Sequence, residues 1–138
     1  MNIHDFYAHA SYYAQLNTEA DARRATEATL RTLGELLHRT ERHRLAAQLP
    51  RELKDFLFER HEIDGQDYSL EEFYNRVGAR AEVRYAEAVR WSRGVIAALR
   101  LAVTAGEMDS IFSLLRSEYA ELVEGPHGPL SATVERER

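Results

Sequence analysis

Residues 20–57 and 86–123 are one sequence written twice, offset by 66 with no gap. Identical in that register are Ala20/Ala86, Ala22/Ala88, Arg24/Arg90, Leu33/Leu99, Glu41/Glu107, Leu49/Leu115 and Glu52/Glu118. Between them the apolar positions match in kind, as in Leu30/Ile96, Leu37/Val103, Leu45/Ile111 and Phe56/Leu122. Self-similarity of this length means two copies of one supersecondary unit that bury their apolar faces together. Two copies are too few for an open stack, which usually needs about three. The expected fold is therefore all-α: two tandem pseudo-symmetric three-helix repeats forming one compact helical domain.

The periodicity is helical throughout. Ala22, Ala25, Thr29, Leu30, Leu33, Leu36 and Leu37 recur at spacings of three and four, and Ala88, Trp91, Val95, Leu99 and Val103 follow the same track. No stretch alternates at period two for long enough to make a strand. A register of 67 pairs Asp5-Phe6-Tyr7 with Glu72-Phe73-Tyr74, which adds a first helix to each copy at about 3–13 and 70–81. The second helices are expected at about 19–38 and 84–103, near the pseudo-axis, and the third at about 41–58 and 107–124. Ser69 with Glu72 and Thr104 with Glu107 have capping-box spacing. Pro50 should break the third helix near Leu49 and open a short helix. Arg116, at the matching position, predicts a weaker kink in the second copy. The expected layout is one domain over 1–124, with repeats at about 3–59 and 69–124, a linker at 60–68 turning at Gly65, and a flexible tail over 125–138.

At 138 residues, 44% hydrophobic and 30% charged, the chain has enough apolar sequence for a real core and too much for disorder. No apolar run approaches the ~20 residues of a membrane span, so no membrane partner is expected. Residues 1–10 carry neither a basic nor an apolar leader region, so no secretory leader is expected. With no cysteine there is no disulfide and no thiol chemistry. A cytoplasmic location is the expectation. Lys54 is the only lysine among eighteen basic residues, which reads chiefly as genome composition and points to a thermophilic or high-GC bacterial source.

The segments Leu45-Ala46-Ala47-Gln48-Leu49-Pro50-Arg51-Glu52-Leu53, Ser69-Leu70-Glu71-Glu72-Phe73 and Leu114-Leu115-Arg116-Ser117-Glu118-Tyr119 span most of the chain. In this pattern the sequence resembles the prokaryotic family catalogued as domain of unknown function 2267. It departs from that pattern where the Leu-Pro step of the first copy becomes Leu115-Arg116. The resemblance implies a helical fold and carries no catalytic residue.

Chemical motifs are few. Glu35-Leu36-Leu37-His38 is a single Glu-x-x-His step, whereas di-iron bundles use two, and the matching positions in the second copy are Leu101 and Thr104. The stretch from Arg60 to Glu71 has acids, a glycine and a final Glu at calcium-loop spacing, but its first position is a cation. The six histidines are scattered, with no metal-binding pair, no nucleophile elbow and no phosphate loop. No catalytic residue, metal ligand or cofactor is expected. The aromatic residues Trp91, Phe6, Phe73, Phe112, Tyr74 and Tyr119 fall at core spacings, one of the neighbours Tyr12 and Tyr13 should be exposed, and Gly94 should mark a close helix approach.

Charge is segregated. Residues 76–100 hold six arginines against Glu82 and Glu87, while 52–72 carry eight acids against Lys54 and Arg60. Mutual neutralisation between helices is the preferred reading. The leading functional expectation is a non-catalytic protein-interaction or scaffold module that binds a protein partner or itself. Second is anion or nucleic-acid binding through Arg76, Arg80, Arg84, Arg90 and Arg93. Third is a ligand or enzymatic pocket between the repeats. Positions where one copy departs from the other are the first places to look for function.

Overall fold

A computed structural model describes residues 1–59 and 65–124. The helices are α1 (Ile3–Ala14), α2 (Glu19–Leu36), α3 (Arg39–Ala46), a 3-10 helix (Arg51–Leu57), α4 (Leu70–Ala81), α5 (Tyr85–Ala102), α6 (Ala105–Phe112), a 3-10 turn (Ser117–Tyr119) and α7 (Ala120–Glu124). No strand occurs among the described residues. The tail 125–138 and the first five residues of the calcium-like stretch, 60–64, lie outside them.

Short polar side chains start four of these helices by accepting a hydrogen bond from the otherwise unpaired N–H groups of the first turn. Asn2 accepts from Asp5 N at 2.8 Å, Thr18 from Asp21 N at 3.1 Å, Ser69 from Glu72 N at 3.0 Å and Thr104 from Glu107 N at 3.2 Å. The boxes at Ser69 and Thr104 are half-closed. Glu72 instead accepts from Arg76 Nε, and Thr104 N donates to Gln48 Oε1. Both α1 and α4 end on a left-handed non-glycine residue, Gln15 (φ 60°) and Glu82 (φ 62°). The following amides, Leu16 and Val83, reach back to Ser11 O and Gly78 O. Those bonds satisfy carbonyls that would otherwise be orphaned.

The long helices α2 and α5 touch each other, and each also carries α1 and α4. The closest pairing is crossed: α1 lies along α5, and α4 along α2. Gly94 allows the first of these approaches, because a Cβ there would stand 2.5 Å from both the N and Cβ atoms of Ala14. One buried apolar cluster runs from Phe6 to Leu122 and includes Leu30, Leu33, Leu53, Phe73, Ile96 and Leu99. Each such side chain, fully withdrawn from water, contributes about 1.5–3 kcal/mol before entropy is counted. Trp91, Tyr74 and Tyr119 are buried as their spacing predicts, whereas Phe112 is only half-buried and Tyr12 is exposed.

The helix break at Pro50 appears as expected, with Pro50 capping the 3-10 helix (φ −52°, ψ 140°). Arg116 departs from expectation: at φ −56° and ψ 148° it takes the same conformation and breaks the helix equally. Its cause is tertiary. Breaking there turns Tyr119 inward, where its hydroxyl donates to Tyr68 O at 3.0 Å and Ser69 O at 3.1 Å. It also lets Glu118 accept from Leu70 N at 2.8 Å, at the start of α4.

Candidate functional site

Two arrangements stand out: a charged cluster between α2 and α4, and an open groove between α6 and α7.

The cluster is built on Glu35, which lies on the buried face of α2 and is almost wholly covered. Antiparallel packing of α4 along α2 brings Arg76 and Arg80, one turn apart, onto its two oxygens. Arg76 Nη1 donates to Oε1 at 3.0 Å, and Arg80 Nη2 donates to Oε2. Tyr68 Oη donates to Oε1 at 2.8 Å, and Arg80 Nη1 donates to Thr32 Oγ1 at 2.7 Å. The Arg76 guanidinium lies 4.1 Å from the centre of the Tyr68 ring. Burial pushes the Glu35 carboxyl up, but the hydrogen bonds from Arg80, Tyr68 and Arg76 outweigh it and hold the group below the usual carboxylate range. Burial and the Glu35 carboxylate push the Tyr68 hydroxyl well above its ordinary value. A charged, saturated carboxylate and a firmly protonated phenol are poor proton-transfer partners near neutrality. What the cluster does is fasten the chain entering α4: Gln66 N donates to Glu35 O at 2.8 Å and Gly65 N to Leu37 O at 3.2 Å. Gly65 has φ 63°, and a Cβ there would stand 2.4 Å from the His38 ring. A depression of ≈ 300 Å³ lined by Arg31, Glu35, Glu59 and Arg80 opens beside it.

The arginines singled out by sequence are dispersed by the fold. Arg76 and Arg80 meet on Glu35. Arg90 Nε donates to Ala14 O at 2.9 Å. Arg93 lies near Tyr74, whose hydroxyl donates to Glu121 at 2.8 Å. Arg84 precedes α5 with its backbone N–H donated to Glu87 Oε1. His38 caps α3 rather than lining a helix face with Glu35, and no group of three metal-binding side chains occurs among the described residues.

The groove has a volume of ≈ 520 Å³ and an apolar floor of Phe112, Leu115, Ala120 and Val123. Asp109, Arg116 and Glu124 also line it, and Arg116 is engaged by Asp67 at 2.8 Å. The same register positions in the first half of the chain are closed. Ala46, Leu49 and Leu57, in the places of Phe112, Leu115 and Val123, are all buried. Phe58 stands where the second half has Glu124, its ring 4.8 Å from that of His43, which stands in the place of Asp109. The Arg42 guanidinium lies 5.7 Å from the same Phe58 ring. Leu114, which lines the separate hollow with Leu37 and Tyr68, is 60% exposed. Sequence reading missed this groove, although the Phe58/Glu124 mismatch was its signal.

A family model described as an uncharacterized conserved protein, DUF2267, matches residues 3–122. The chain belongs to the DUF2267 family. The match covers the charged cluster and the groove residues from Asp109 to Ala120, and ends before Val123 and Glu124. No curated protein matches this DUF2267 chain. Among the described residues, no helix of it is long and apolar enough to cross a membrane.

Proposed function

We propose that this DUF2267 protein is a non-catalytic protein-interaction module, built from two copies of a three-helix unit of which one keeps its groove open. The observation that carries the reading is the contrast between Leu49 and Leu57, buried, and Leu115 and Val123, half-open at the same register positions. An apolar floor left accessible on a folded domain is the usual mark of a surface that another protein covers. A cytoplasmic setting in a bacterium belongs to the same proposal.

The anion-binding alternative has less support, because Arg76, Arg80 and Arg90 already bond to Glu35, Glu72 and the Ala14 carbonyl. A pocket between the halves also has less support. The hollow bounded by Leu37, Gly65, Tyr68, Leu115 and Tyr119 measures ≈ 190 Å³, below the roughly 300 Å³ where small-molecule sites begin, and the ≈ 300 Å³ depression at Arg31, Glu35, Glu59 and Arg80 is lined by charged side chains where such sites are mostly apolar.

The test is affinity capture from lysate with the full chain and its Leu115→Asp variant, each with and without nuclease. The reading expects a protein retained by the wild type, lost with the variant and indifferent to nuclease. Retention that vanishes with nuclease, or is equal for both baits, overturns it.

A further inference from the structure

We propose that the α6–α7 groove takes an aromatic side chain presented by a partner protein next to an arginine or lysine. This deepens the interaction reading and rests on it. The chain itself supplies the template. Where the first half closes the corresponding space, an aromatic ring, Phe58, packs against the buried cluster that includes Ala46, Leu49 and Leu57 and lies beside His43. The second half keeps the matching apolar floor and replaces the ring by Glu124, which reaches toward solvent instead of covering it.

Charge sets the rest of the partner's chemistry. In the first half the ring is accompanied by a cation, Arg42, whose register counterpart is the apolar Met108. In the second half the positions of His43 and Phe58 are both acidic, Asp109 and Glu124, and neither forms an ion pair among the described residues. Among the described residues the cations beside the groove are engaged: Arg116 is held by Asp67 and lies 3.9 Å from Glu118, and Arg100 Nη1 donates to Val123 O at 3.0 Å. An incoming ring alone would leave two carboxylates beside a newly dried interface. A neighbouring arginine or lysine supplies their partner, and aromatic and arginine side chains are the usual anchors of such interfaces.

The experiment is selection of a displayed random-peptide library on the full chain, with parallel selection on the full-chain variant Ala120→Trp. Ala120 is exposed on the groove floor, so the variant fills the groove without disturbing the core. Expected are peptides with an aromatic residue within two positions of Arg or Lys, enriched about tenfold or more over the variant. Enriched peptides without that pairing, or with acidic flanks, overturn the proposal. Equal enrichment on Ala120→Trp also overturns it while leaving an interaction module standing, since binding would lie elsewhere. No enrichment on either bait sinks both readings. Two further controls identify a different occupant. If selection succeeds only when Leu130 and Val134 are changed to serine in the full chain, the chain's own C-terminal segment fills the groove. If the chain self-associates in sedimentation and Tyr85→Ala abolishes it, a second copy does, through the exposed Arg84-Tyr85 pair. Either result overturns the proposal.

Discussion

Arg90 and Ala14 are joined across the two halves of the chain, the Nε of one donating to the carbonyl of the other at 2.9 Å. Arg24 likewise reaches Ala81, its Nη2 donating to the carbonyl at 2.6 Å. Each carbonyl sits one residue before a left-handed helix end, Gln15 or Glu82, where the helix has run out of amide partners and its dipole is negative. The identity of Arg24 and Arg90 in the register thus has a physical reason. Replacing either by alanine should cost about 1.5 kcal/mol, the lower end for a hydrogen bond to a charged group because both side chains are partly exposed. Urea denaturation of each variant measures it, and a cost near zero would show that water replaces the guanidinium.

Gly94 and Gly106 should respond oppositely to alanine. At Gly94 the new methyl would meet the Ala14 backbone at 2.5 Å, so α1 has to shift away from α5. Overpacking of that kind costs about 1–3 kcal/mol, more than the helix propensity of alanine returns. At Gly106 nothing lies within 4 Å, and Gly106→Ala should stabilise by about 0.5 kcal/mol through propensity alone. Thermal melts of the two variants shifting in the same direction would contradict this.

The helical fold and most helix positions were legible because helix boundaries depend on local periodicity and caps. Residues 19–36 and 85–102 are both helical, and the slip from 66 to 67 falls between α4 and α5, as the Phe6/Phe73 pairing requires. What depended on distant partners was not legible. Arg116 reads as a helix former, and it is the Tyr68 and Ser69 carbonyls accepting from Tyr119 and the Leu70 amide held by Glu118 that explain why the helix stops there. Arg76 and Arg80 read as a surface stripe, because their acid lies on another helix more than forty residues earlier. Glu35 itself gave a hint, since a carboxylate among Leu33, Leu36 and Leu37 on an apolar face has to find a cation. The groove was hidden for a different reason: Glu124 at the end of an amphipathic helix looks ordinary until it is set beside Phe58.

Glu35→Gln should destabilise the fold by about 2 kcal/mol near neutral pH. Removing one partner of a buried ion pair costs about 3–5 kcal/mol, and the figure is reduced here because the Arg76 and Arg80 side chains remain 33% and 32% exposed. The pH dependence follows from the lowered carboxyl value. A group whose folded pKa is depressed contributes fully above its unfolded value, about 4.3, and loses that contribution as pH falls through the folded one. The gap between wild type and variant should therefore be constant above about pH 5.5 and shrink below about pH 4. Urea midpoints across that range check it, and a gap that widens in acid would mean the carboxyl is raised.

Proline is compatible with both helix breaks but required at neither. Arg116 already holds φ at −56°, inside the range that a proline ring fixes, and no hydrogen bond from its amide occurs among the described residues. Arg116→Pro should lower the entropy of the unfolded chain by about 0.4–1 kcal/mol. Against this it loses the exposed contact with Asp67, worth about 0–1 kcal/mol, so the net change should be near zero. Pro50→Ala should cost less than about 1 kcal/mol and leave the far-ultraviolet dichroism unchanged. A gain of helical signal on Pro50→Ala would show that the ring, and not the surrounding core, terminates α3.

Glu124→Phe should convert the open half into the closed one. The new ring would take the register position that Phe58 holds in the first half, where Phe58 packs against the buried cluster, and would meet Leu115 and Val123. Full burial of a phenylalanine contributes about 1.5–3 kcal/mol, and an open groove returns part of that, so about 1 kcal/mol of added stability is expected. Asp109→His in the same chain should add to it by supplying the ring neighbour that His43 provides at 4.8 Å. Both variants should lose the peptides that the wild type selects, because stability gained inside the chain comes from the same apolar floor that a partner would cover. Urea midpoints and peptide binding measured on the same preparations decide the matter. A variant that is stabilised yet still binds would place the partner's anchor away from Leu115 and Val123. A variant that neither gains stability nor loses binding would mean that the two halves are not built to be closed in the same way.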